Sequence, residues 1–290
     1  MWILLCLLVP DTTSSSFPVT LDPAESVQVT IAGAGEPVVL LPGLFGSAFG
    51  YRRLLPALAD AGYRAIVIEP LGVGSSGRPE RADYSLTAQA DRIARVLDVL
   101  GVRRSVVVAH AIGGSMAFRL AYRRPDLVRG IVSLEGGPAE TATTPGFRRA
   151  LRLVPWVKLF GGAKRIRKKV GGFLRASSGD ATWVTEEVLD GYTAGATRDL
   201  DAALRAYLAM ARAREPEALA PRLGAIRCPV RLLVGGVPHE GAPNGEEVAL
   251  LAGRLPRFSL DTIAGAGHFL YEERPEAVVR AIHDLGGEAP

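Results

Sequence analysis

A chain of 290 residues, 48% hydrophobic and 22% charged, suits one soluble globular domain with an insertion, or two small domains, around a sizeable core. A formal net charge of +4 is too mild to imply a nucleic-acid partner. The two cysteines, Cys6 and Cys228, lie too far apart in sequence to suggest a disulfide framework or a cysteine metal site.

Met1 to Pro10 is apolar but about half the length of a membrane span. It lacks a basic flank and a small-x-small cleavage site, so cytoplasmic residence is expected, with export or peripheral attachment through this segment as the alternative. Residues 1–20 read as an apolar, then Ser/Thr-rich, leader open to disorder, with Thr12 to Ser16 as linker. Strands are expected at 25–33, Pro37 to Leu41 and Ala65 to Ile68, with a helix from Leu54 to Ala61. Leu86, Ala90, Ile93, Leu97 and Leu100 recur at helical spacing, and Gly101 closes that helix. Ser105 to Ala109 reads as a buried strand and Gly113 to Tyr122 as the helix behind it. Further strands are expected at Gly130 to Leu134, Val230 to Val234 and Phe258 to Ile263, then a terminal helix from Pro275 to Leu285.

Apolar strands alternating with helices imply an α/β protein, a mostly parallel sheet flanked by helices on both faces. Residues 21–140 and 223–290 would form that core, and 141–222, helical and basic, an inserted helical cap. Ten Lys or Arg and no acid lie between Phe147 and Ala176, interleaved with apolar residues. That run reads as the solvated outer face of the cap, with an anionic membrane surface as the other partner it could meet. In such sheets ligands bind at the carboxyl ends of the strands.

The loops at those ends carry motifs. Leu40-Leu41-Pro42-Gly43-Leu44-Phe45-Gly46-Ser47 follows one strand, Glu69-Pro70-Leu71-Gly72-Val73-Gly74-Ser75-Ser76 the next, and Ala109-His110-Ala111-Ile112-Gly113 the third. Gly265-Ala266-Gly267-His268-Phe269 comes near the end. In this order and spacing, from about Val27 onward, they resemble the α/β-hydrolase superfamily. The first is similar to its oxyanion loop, with Pro42 where a His is usual, and the last to the loop of the catalytic His.

The resemblance implies a nucleophile, an acid and a His, and only His268 matches by type. Ala111 stands at the nucleophile position, where Gly-x-Ser-x-Gly would place the serine on a tight strand-to-helix turn. In Val234-Gly235-Gly236-Val237-Pro238-His239-Glu240, Pro238 or His239 falls where the family carries Asp. Glu135, ending the strand after the elbow helix, and Glu240, just past the usual position, are the candidate replacements. His239 and His283 read as ordinary loop and helix residues. His110 and Ser115 read as structural, and Ser47 as a stray hydroxyl.

Alanine cannot form an acyl-enzyme. An oxyanion hole built from backbone survives such a loss, and its expected donors are the N–H groups of Leu44 and Ile112. With His268 as base, a non-covalent enzyme acting on a small apolar or carbonyl-containing substrate is expected, of hydrolase, lyase or cyclase type. The alternative is a catalytically inactive, ligand-binding pseudo-hydrolase. No cofactor or metal is called for: the Gly72–Gly77 turn lacks a P-loop lysine.

Overall fold

The computed structural model describes residues 14–142 and 162–287. Eight strands form one sheet in the order β1-β2-β4-β3-β5-β6-β7-β8. They are β1 Ser15–Asp22, β2 Glu25–Ala32, β3 Glu36–Leu41, β4 Tyr63–Ile68, β5 Ser105–His110, β6 Val128–Leu134, β7 Val230–Gly235 and β8 Phe258–Ile263. β1 and β2 pair antiparallel, β2 runs antiparallel to β4, and every pairing from β4 to β8 is parallel.

The central strands are apolar on both faces because both faces are covered. Val39, Leu41, Val107, Ala109 and Ile131 point into one hydrophobic cluster. Their alternates Val38, Leu40, Val106, Val108 and Val132 point into the other. Helices α2 (Leu86–Val99) and α3 (Ile112–Arg123) cover the first face, and α1 (Leu54–Asp60) packs with the C-terminal helix on the second. Ser85 caps α2 by accepting the Ala88 N–H at 3.1 Å, and the helix ends one residue before the expected Leu100.

One expectation needs correction. Residues 15–20, assigned to the leader, belong to strand β1. It is an edge strand in which Val19 is buried and its neighbours are mostly exposed, so it shows little apolar periodicity. Pro18 is compatible with such an edge. Met1 to Thr13 lie outside the described residues.

Between β6 and β7 the chain leaves the sheet for α4 (Gly162–Ala176), α5 (Glu186–Arg198) and α6 (Leu200–Arg212). Then come α7 (Gly245–Arg254), a one-turn α8 (Leu270–Glu273) and α9 (Pro275–Gly287). The first half of the basic run, with Trp156 and Phe160, lies outside the described residues. In the second half, Arg167 on α4 pairs with Glu186 at 2.7 Å and Asp190 at 2.8 Å on α5. Part of that charge is therefore met between α4 and α5. Among the described residues no helix is long and apolar enough to cross a membrane.

Helix α3 sits unusually close to the sheet. A Cβ on Gly113 would lie 2.9 Å from the Leu41 carbonyl oxygen, and one on Gly136 would lie 2.7 Å from the Ala111 carbonyl oxygen. Gly253, near the end of α7, meets nothing within 4 Å. Gly136→Ala is therefore expected to destabilise the fold by about 1–3 kcal/mol. Gly253→Ala is expected to stabilise it by about 0.5–1 kcal/mol, and urea midpoints compare the two.

Candidate active site

β5 runs into α3 through a single residue. Ala111 adopts φ 49 and ψ −118, a conformation that costs a non-glycine residue about 1–3 kcal/mol. The turn is held from both sides: the Ala111 N–H donates to the Leu134 carbonyl at 2.8 Å, and its carbonyl accepts the Gly114 N–H at 2.9 Å. The glycines at 113, 114 and 136 let the helix, the turn and the end of β6 close to this distance.

The loop after β3 comes alongside. A Cβ on Gly43 would lie 3.5 Å from the Ala111 methyl and 3.0 Å from His110 Nδ1, so only glycine fits there easily. Gly46 N–H donates to the Gly43 carbonyl at 2.9 Å and tightens the bend. Among the described residues, the amides of Leu44 and Ile112 donate to no acceptor. Glu69, at the end of β4, braces this loop against the next by accepting the N–H of Ala48 at 2.8 Å and of Ser75 at 2.5 Å. Burial raises the Glu69 carboxyl above its ordinary range, against the pull of those two amides.

His268 follows β8. Its N–H donates to the Ser177 carbonyl at 2.7 Å, which fastens the loop to the end of α4. Its ring packs with His110 (centroids 4.6 Å apart), Phe269 (5.1 Å), His239 (5.5 Å) and Phe173 of the cap (6.0 Å). Burial, reinforced by the two neighbouring histidines, holds the His268 imidazole well below its usual value, so the ring is neutral at pH 7. His110 Nε2 donates to the His268 carbonyl at 3.1 Å and so ties the end of β5 to the loop of His268.

Of the two candidate acids, the structure brings in Glu135 and leaves out Glu240. Glu135 turns back at the end of β6 with φ 56, and its side chain is 0% exposed. Its Oε1 accepts the Gly235 N–H. Its Oε2 faces His239 Nε2 at 3.2 Å, and Glu135, His239 and His268 each place one possible ligand atom within 4.8 Å of the other two. Burial raises the Glu135 carboxyl, with the Gly235 amide and His239 pulling the other way.

Glu240 is exposed, because the turn that sends His239 inward sends its neighbour outward. Gly241 then backs onto the His268 ring, where a Cβ would lie 3.0 Å from Cε1. His239 is the residue that sequence reasoning set aside as an ordinary loop position. Its alignment with the acid of the resembled family was the available signal. Its side chain is 2% exposed, and Nδ1 donates to the Val237 carbonyl at 2.7 Å. Ser115 donates to the Ala139 carbonyl at 2.6 Å and belongs to the packing of α3. His283 lies exposed on α9.

A cavity of ≈ 150 Å³ lies between helices α4 to α6 and the loop after β3. Among the described residues Phe45, Ser47, Tyr192, Leu204 and Tyr207 line it, with Arg165 and Lys169 of α4 as its charged wall. Of the aromatic residues between β6 and β7, Tyr192 faces this cavity, Phe173 packs on His268 and Phe269, and Trp183 packs on Phe269.

Residues 36–160 match the family model described as the alpha/beta hydrolase fold. A 2-hydroxy-6-oxononadienedioate/2-hydroxy-6-oxononatrienedioate hydrolase of Pseudomonas sp is 30% identical over 57% of this chain and 59% of its own. Bifunctional epoxide hydrolase 2 of Mus musculus is 33% identical over 40% of this chain and 21% of its own. The chain thus spans about a fifth to three-fifths of these curated relatives. The crystal structure of Cfl2 from Burkholderia cenocepacia superposes with a TM-score of 0.76 at 26% identity, covering 93% of this chain and 95% of that one.

Burial lowers the His110 imidazole from 6.5 to about 4. Between those values the unfolded chain binds a proton that the folded one refuses, so stability falls as pH falls through this window. His110 should account for about 3 kcal/mol of that loss. The buried carboxyls of Glu69, Glu135 and Glu272 titrate in the opposing sense, so the readout is the difference between the wild type and His110→Gln. Urea titrations at pH 7 and pH 4.5 should show the variant losing less, by about 2 kcal/mol.

Proposed function

The chain belongs to the α/β-hydrolase superfamily, and on that footing we propose that it is an enzyme of hydrolase, lyase or cyclase type that works without an acyl-enzyme. The observation that carries this reading is the pair of unbonded amides, Leu44 and Ile112, beside an alanine methyl at the elbow. Two such donors can hold a carbonyl oxygen and stabilise the charge that develops on it, at about 3 kcal/mol each. Ala111 offers no atom that can bond to the carbonyl carbon. A water in the space of the absent hydroxyl, or a C–H of the substrate itself, is then the source of the proton to be moved.

His268 is the base in this scheme. It is neutral at pH 7 and therefore able to accept. As it takes the proton, the Glu135 carboxylate within 4.8 Å is placed to offset the new charge. The cavity under the cap supports a small, largely apolar substrate. Arg165 and Lys169 favour one that carries a carboxylate away from its reacting carbonyl. The hydrolase names of the relatives agree with this class of chemistry without fixing the substrate.

One observation favours the second reading, a ligand-binding pseudo-hydrolase. Among the described residues no hydroxyl or thiol is hydrogen-bonded to His268. A panel of esters, lactones and β-keto acids, followed by mass spectrometry of product and protein, separates the possibilities. The enzyme reading expects altered product, no covalent adduct, and a loss of at least ~100-fold in kcat for His268→Ala. Undiminished turnover in that variant would overturn it. A ligand recovered unchanged would favour the binder. A serine labelled by a fluorophosphonate, whose removal abolishes activity, would restore ordinary acyl transfer.

A further inference from the structure

Three of the chain's four histidines, His110, His239 and His268, gather behind the elbow, and two of them meet Glu135 in an arrangement that hydrogen bonding leaves incomplete. The Val237 carbonyl can only accept, so the bond to it places the His239 proton on Nδ1. Nε2 of the neutral ring is then a lone pair, and it points at a carboxylate oxygen 3.2 Å away. Two lone pairs at that distance repel unless a cation lies between them. Glu135 Oε2, His239 Nε2 and His268 Nδ1 are all buried, and none has a hydrogen-bond partner. One proton can satisfy Glu135 and His239, but it leaves His268 Nδ1 unanswered.

We propose that Glu135 Oε2, His239 Nε2 and His268 Nδ1 form a binding site for a first-row divalent transition cation such as Zn²⁺. Two imidazoles and one carboxylate are a donor set suited to Zn²⁺, Fe²⁺ or Co²⁺, and they are a poor one for Mg²⁺ or Ca²⁺, which take mostly oxygen ligands. Each of the three side chains offers a donor atom within 4.8 Å of the other two, so small side-chain movements bring them onto one ion. The ligands already have their outer partners: Glu135 Oε1 accepts the Gly235 N–H, and His239 Nδ1 donates to Val237, the bonds that orient metal ligands elsewhere. The sequence reading calls for no metal because the ligands come from three separate loops and share no spacing. The proposal does not depend on any turnover by the protein.

The test uses the full chain, stripped with a chelator and dialysed against Zn²⁺ or Co²⁺. Wild type should retain about one equivalent of metal, shift its melting temperature upward, and show visible Co²⁺ bands when cobalt is loaded. His239→Ala and Glu135→Gln should lose the equivalent and the shift, whereas His283→Ala, on the exposed face of α9, should keep both. Far-UV circular dichroism checks each variant, and His239→Gln replaces any that fails to fold. Wild type that binds no metal overturns the proposal. Equal binding in wild type, His239→Ala and Glu135→Gln also overturns it, by showing that the ion sits elsewhere on the surface.

Discussion

The site depends on how closely α3 is pressed against the ends of β3 and β6. Gly113, Gly114 and Gly136 leave no room for side chains at that contact, and the contact fixes the positive φ of Ala111 between them. Once the turn is fixed, Ala111 at the start of α3 lies against Gly43 of the loop after β3, and Ile112 and Leu44 follow these two residues in the chain. The proposed oxyanion pocket would thus be a consequence of backbone packing. It would not depend on whether residue 111 carries a hydroxyl or a methyl.

Electrostatics behind the elbow differ from those of a serine triad. There a buried carboxylate is dedicated to one imidazole, fixing its tautomer and favouring its protonated form. Here Glu135 spends one oxygen on the Gly235 amide and points the other at His239. His268 is left with a backbone tether, an aromatic wall and two histidine neighbours, and its burial together with those histidines favours the neutral ring. Ala111 at the elbow and the turn of Glu135 toward His239 therefore point the same way, toward the proposed chemistry in which no acyl-enzyme forms.

Much of this was legible in the sequence. Val106 to Val108, buried on both faces, are apolar without alternation, and Gly113 marks the tight turn beside them. The motifs lie at the carboxyl ends of parallel strands, so topology alone brings His268, Ala111 and the Gly43 loop to one edge. Strand β1 was not legible, since an edge strand with one buried residue lacks the pattern that marks its neighbours. The inward turn of His239 was not legible either. It follows from the Nδ1 bond to Val237 two residues back and from the reversal of Glu135 at φ 56. Neither leaves a periodic trace, and residue type alone favoured the carboxylate of Glu240 over an adjacent histidine.

The two roles given to His268 exclude each other at one ring. A neutral imidazole has one proton and one lone pair. If a cation takes the lone pair of Nδ1, the proton must reside on Nε2, and the ring can donate a hydrogen bond to a substrate but cannot accept a proton from one. If the cluster holds only a proton, shared between Glu135 and His239, Nε2 is free to be the lone pair and the ring can act as base. Of the two ring nitrogens only Nδ1 is sealed off without a partner, so the choice is made inside the protein and expressed at the other nitrogen. Occupancy of a site behind the histidine would thereby decide whether the same scaffold binds a carbonyl compound or transforms it.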